Sequence, residues 1–169
     1  GSDGRFLIGH SDGSVSVLSE SGEVPGEVRS TQVRAICSSE RNWFSGHHSG
    51  EVVSSRGWVV SAPGAVQSLA FGPGASDGNG IWTHRWGDDV SKVAVLDAAD
   101  GSTALELEHP HRIRHIQSAG EIVTLGDSEG RIYLIEKEVL SRRLGTDEDF
   151  DDDERRDRLM ARLRQLREA

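Results

Sequence analysis

One cysteine, four prolines and two lysines are all that this chain of 169 residues holds of those types. A lone Cys37 excludes an internal disulfide. It lies in the apolar run Val33-Arg-Ala-Ile-Cys37, where a small core residue is expected and a nucleophile is not. A reducing, cytoplasmic setting fits an unpaired thiol. No stretch of 18 apolar residues occurs, so no helix is expected to span a membrane. No basic-then-apolar leader with a cleavage site opens the chain, so a secretory signal is not expected. The opening Gly1-Ser2, without Met, is expected to be an expression scar or the result of cleavage. The formal net charge of −9 argues against general nucleic-acid binding, which needs Lys and Arg to displace counterions from phosphates. With only Lys92 and Lys137 among 19 basic residues, arginine dominates, as coding bias in a GC-rich, bacterial genome would produce.

Catalytic signatures are also missing. There is no Gly-x-Ser-x-Gly elbow, no phosphate loop ending in Gly-Lys-Ser and no His-Glu-x-x-His, each of which carries a defined chemistry. Gly72-Pro-Gly-Ala-Ser-Asp-Gly-Asn-Gly80 is glycine-rich but has no lysine, and reads as a loop between two strands. The chain is therefore expected not to be an enzyme and to hold no cofactor.

What is present is repetition. Arg5-Phe-Leu-Ile-Gly-His-Ser-Asp-Gly-Ser-Val-Ser-Val-Leu18, Trp43-Phe-Ser-Gly-His-His-Ser-Gly-Glu-Val-Val53 and Ile122-Val-Thr-Leu-Gly-Asp-Ser-Glu-Gly-Arg-Ile-Tyr-Leu-Ile135 share one pattern. A degenerate copy runs from Ile81-Trp-Thr-His-Arg-Trp-Gly-Asp-Asp to Val95-Leu96. Each is an apolar strand, a turn rich in Gly, Asp and Ser, and a second alternating strand. A period near forty residues points to an array of strand-built units rather than one single-copy core. Leading strands are expected at Val33–Cys37, Val66–Phe71 and Ile113–Ile116, and outer strands at Trp58–Ser61 and Thr103–Leu107. The first repeat has no leading strand before it.

These segments resemble the WD-repeat β-propeller family. Ala65-Val-Gln-Ser-Leu-Ala-Phe-Gly-Pro73 is similar to that family's innermost strand a and its turn. Gly9-His-Ser-Asp-Gly-Ser-Val15 and Gly126-Asp-Ser-Glu-Gly-Arg-Ile132 resemble its turn between strands b and c. His109-Pro-His-Arg-Ile113 resembles the loop between blades, and Leu96-Asp97 and Ile135-Glu136 stand where its Trp-Asp pair would. No Trp-Asp pair occurs, so the family's buried hydrogen-bond set is incomplete here. The resemblance implies an all-β fold, a partial β-propeller of four-stranded antiparallel blades, and the residues after it are expected to add a C-terminal α-helix. The domains expected are residues 1–145, holding three full blades and a b–c–d remainder, an acidic linker at 146–154, and an amphipathic helix at 155–169.

Rings of this kind need about four to eight blades to close, so the chain is expected to be half of one. The other half would be another chain, a cleaved fragment or a second copy. In the tail, Leu159, Leu163 and Leu166, with Met160 beside them, make an apolar stripe of helical spacing. So short a helix needs a surface, either this chain's own blades or a partner's groove. The adjacent acids argue against an anionic membrane.

His10, His47 and His84 recur at intervals of 37 residues, with Asp127 in the corresponding place of the last repeat. On separate sheets they are too far apart to share a metal ion, which needs ligands at about 2.0–2.2 Å. Together with His48, Arg85 and Trp86 they are the expected partner-binding face, since Trp and Arg anchor many interfaces. His109, His111 and His115 are expected to bond a neighbouring blade. The function expected is a non-enzymatic protein–protein interaction scaffold or recognition module. The alternative is a regulatory fragment released by proteolysis from a longer bacterial signalling or defence protein.

Overall fold

The computed structural model describes residues 6–26, 29, 31–74 and 78–144. The acidic linker, and the tail positions Leu159, Met160, Leu163 and Leu166, lie outside the described residues. Fourteen strands and one helix are described. The strands are β1 (Phe6–Gly9), β2 (Val15–Ser19), β3 (Gly22–Pro25), β4 (Val33–Ser38), β5 (Trp43–His47), β6 (Glu51–Ser54), β7 (Val59–Ser61), β8 (Ala65–Pro73), β9 (Asn79–Gly87), β10 (Val90–Asp97), β11 (Thr103–His109), β12 (Ile113–Ala119), β13 (Ile122–Asp127) and β14 (Ile132–Glu136); helix α1 is Lys137–Leu144.

They form four antiparallel meanders in chain order: β1-β2-β3, β4 to β7, β8 to β11, and β12-β13-β14. Two sheets have four strands, where the sequence led us to expect three full blades. The last sheet ends at three because the chain enters α1 directly after β14. Lys137 donates its backbone N–H to Glu121 O at 2.9 Å and Leu140 joins the core, so a helical turn takes over where an outer strand was expected. It is the one helix among the described residues; the helix expected at 155–169 lies outside them.

The turns follow from local chemistry. Asp12, Asp97, Asp100 and Asp127 each accept a backbone N–H from the residue two positions on, at 2.7–2.9 Å, and such Asx bonds make tight reversals. Asp88 and Asp89 have φ of 51° and 57° between the paired Gly87 and Val90, the two-residue turn whose twist matches a hairpin.

Two cores lie between sheets. Phe44, Val52, Val66, Leu69, Ile81 and Leu96 join the second sheet to the third. Trp82, Val93, Val95, Ile113, Ile116 and Val123 join the third to the fourth. Trp82, fully buried, donates Nε1–H to Pro73 O at 2.9 Å, and Trp58 reaches across the first of these seams to Ala98 O at 3.3 Å. Cys37 packs beside the same core. No helix of the described residues is long and apolar enough to cross a membrane.

Candidate functional site

The second, third and fourth sheets each carry a β-bulge or register shift near the start of the leading strand, between Val33 and Ala35, Val66 and Ser68, and Ile113 and His115. The bulge fixes which residue enters the turn at the end of the next strand. Val33 pairs His47, Val66 pairs Arg85, and Ile113 pairs Asp127. Arg85, not His84, is thus the structural counterpart of His47 and Asp127. The 37-residue spacing slips by one in the third sheet.

These turn residues are fastened inside the molecule. His47 takes Ser45 Oγ at 2.9 Å on Nε2 and donates from Nδ1 to Thr31 O at 3.0 Å. Arg85 donates from Nε and Nη2 to Gly50 O at 3.2 and 3.1 Å, and from Nη1 to Thr83 Oγ1 at 3.2 Å. That fork clamps the third sheet to a turn of the second. Asp127 accepts from Glu129 and Arg131 N–H at 2.9 Å each, meets His109 Nε2 at 3.2 Å, and accepts from Tyr133 Oη at 3.3 Å. Burial opposes its ionisation, but the Arg131 amide, the His109 ring, the Glu129 amide and the Tyr133 hydroxyl together hold its carboxyl below the ordinary value. His10, half-exposed, pairs with Ser16 Oγ at 2.8 Å.

Four of the expected partner-binding positions point inward. His47, His84, Arg85 and Asp127 are buried, and their side chains bond within the fold. His84 stands one position earlier on the strand, where the first, second and fourth sheets have Gly9, Gly46 and Gly126. Its Nε2 lies 3.0 Å from Ser91 Oγ, which accepts from Ile113 N–H at 2.9 Å, and its Nδ1 has no partner. Burial, then the charge of Arg112, pushes its pKa down to about 4. It is a neutral wedge between the third and fourth sheets.

The exposed part of this rim is smaller. His48 is fully on the surface and Trp86 is half-buried, with the Arg112 guanidinium 5.7 Å from its ring centroid. His111 stands edge-on to His109 at 5.6 Å, and His109 edge-on to Tyr133 at 5.2 Å. His109 thus bonds the neighbouring sheet. Arg112 was missed by the sequence reading; its place in an inter-sheet loop directly after His111 was the available signal. On the opposite rim, a cavity of about 620 Å³ is lined by Arg41, Arg56, Asp97, Phe44, Phe71 and Asn79, among others, a site that no motif announced.

Burial pushes the Cys37 thiol up to about 12, leaving almost no thiolate at neutral pH. Among the described residues no three His, Cys, Asp or Glu side chains converge as metal ligands. On the rim, the Arg112 guanidinium over the Trp86 ring is a cation–π pair.

No family model matches the chain, and no curated protein does. Solved structures do. A computationally designed protein, Ika4, superposes with a TM-score of 0.60 at 17% identity, over 79% of this chain and 85% of that one. Hsv2 of Kluyveromyces lactis gives 0.55 at 10% identity, over 79% of this chain and 46% of its own. A chain of the mitotic checkpoint complex gives 0.59 at 13%, over 79% and 45%. The last two are WD40 β-propellers, and this chain spans less than half the length of either. Identities this low carry the fold alone: the four sheets are consecutive blades of propeller type.

Proposed function

We propose that this chain is a non-enzymatic protein–protein interaction module, a partial propeller completed by another chain or segment. One observation carries the reading. Both ends of the blade array show apolar side chains that the internal blades bury. Ile132 and Leu134 are 73% and 68% exposed at one end and Phe6 is 65% exposed at the other, whereas Phe44 and Val52 inside the array are fully covered. Unpaired edges with apolar faces associate unless something covers them. The Trp86–Arg112 rim, with His48 and His111, is the recognition surface that such a scaffold displays.

Light scattering coupled to size exclusion, with a hydrophobic dye added to the eluted peak, tests the proposal. Self-association or strong dye binding is the expected result. A monodisperse monomer that melts in one transition and binds no dye refutes it, because its ends would then already be satisfied.

A further inference from the structure

Inside the array, every seam between blades has a leading strand as one part, and in the first two seams a glycine is the other. The leading strand of the later blade projects two apolar side chains three residues apart, across its bulge. These are Val33 and Ile36, Val66 and Leu69, and Ile113 and Ile116. The earlier blade receives them on the face of its second strand. At Gly9 an added Cβ would meet Val33 Cγ1 at 2.5 Å and Ile36 Cδ1 at 2.8 Å, and at Gly46 it would collide with Val66 and crowd Leu69. Those glycines are sockets emptied of a side chain so that the next strand can close on them.

Gly126 is the same position in the last blade. It pairs His115 and Ile132 as Gly46 pairs Ala35 and Val52. A Cβ there meets nothing within 4 Å. Around it, Ile122, Ile132 and Leu134 are exposed, and the register puts all three on the Gly126 side of the sheet, while Val123, Leu125 and Ile135 face the core. The socket is formed and unfilled. Among the described residues this chain has no plug left for it: β4, β8 and β12 are engaged in its own seams, and the first sheet has no leading strand.

We infer that the face around Gly126 docks the leading strand of a partner β-sheet, one carrying a β-branched residue and, three positions on, Ile or Leu. This rests on the interaction-module reading and names the partner's contact. Continuity with the two filled glycine sockets is the argument, and the preference for apolar side chains at that spacing follows from the three plugs already in place.

The test titrates the whole chain, isotopically labelled, with a synthetic peptide of residues 31–47, the β4–β5 hairpin bearing Val33 and Ile36. Amide shifts should concentrate at residues 122–127 and 132–136. Gly126→Val in the chain, or Ser at both plug positions of the peptide, should each weaken binding by about tenfold or more. Gly126→Val should leave the melting temperature of the chain within about 1 °C, while Gly46→Val lowers it by several. No shifts at those residues, or equal binding by Gly126→Val, overturns the inference. A lower melting temperature for Gly126→Val also overturns it, because a segment of the chain itself would then fill the socket. A dimer that Gly126→Val dissociates assigns the face to a second copy; it overturns the partner named here and leaves the interaction module standing.

Discussion

His84 makes the stability of this protein depend on pH in a way that one variant isolates. The ring is fully buried between the third and fourth blades. His84 Nε2 lies 3.0 Å from Ser91 Oγ, which accepts from Ile113 N–H. A second proton on the ring would set a buried charge near Arg112. Burial first, and Arg112 second, bring the pKa from 6.5 to about 4. The folded value lies below the unfolded one, so protons bind the unfolded chain more tightly. The stability is whole above pH 6.5 and is lost as the pH falls towards 4. A gap of this size amounts to a loss of about 2 kcal/mol between pH 7 and 5, and about 3 kcal/mol by pH 4. Urea unfolding of the wild type and His84→Gln across that range reads it. Carboxylates such as Asp127 titrate in both proteins and cancel in the difference. The wild type should lose stability more steeply than the variant by about 2 kcal/mol at pH 5. Parallel profiles would refute the buried neutral wedge.

Other residues give sharper single outcomes. Arg85→Ala removes two charged donors from Gly50 O and should cost about 2–3 kcal/mol in urea unfolding, with Arg85→Lys restoring little because it has no fork; a loss below about 0.5 kcal/mol contradicts the clamp. Trp82→Ala should cost about 3–5 kcal/mol through the cavity it leaves, read by the same titration. Replacing Trp86 and Arg112 together by Ala should weaken an identified protein partner by about tenfold or more while far-UV circular dichroism stays unchanged; undiminished binding moves recognition off that rim. At pH 8, Cys37 should alkylate about a thousandfold more slowly in the native chain than in urea, the ratio expected when the thiol value rises from 9.0 to about 12 and only thiolate reacts.

Strands and turns were legible because their signals are local. Alternation in Val15-Ser-Val-Leu18 and the Asp-x-Ser or Asp-x-Glu turns at Asp12 and Asp127 act within a few residues, so they announce hairpins without help from the rest of the fold. The leading strands were readable for the same reason, and each begins at its expected residue or one before it. The end of the fourth blade was not. Lys137-Glu-Val-Leu-Ser-Arg-Arg-Leu144 sits where an outer strand is due, and what makes it helical includes burial of Leu140 against a core drawn from three strands of another sheet. The cavity on the far rim was equally hidden, since Arg41, Arg56 and Asp97 meet only when two blades are side by side.

The assignment of the turn residues failed for a more instructive reason. A histidine every 37 residues is a periodic signal in the sequence, but side chains in a strand change face with every residue. In the first two blades the repeat falls on the turn position, and in the third it falls one residue short. The sequence itself held a correction. Gly9-His10 and Gly46-His47 place the small residue before the polar one, and Gly126-Asp127 does the same. Aligning that pair, rather than the histidines, puts His84-Arg85 in register, with histidine in the glycine socket and arginine in the turn. The consequence is physical. A socket occupied by His84 cannot close on Ile113 as Gly46 closes on Val66, and beside the apolar core of the third seam Ser91 links the ring to the Ile113 amide. This is therefore the seam in which a buried imidazole responds to protons, and the neighbouring Trp86–Arg112 pair stands on the same two blades.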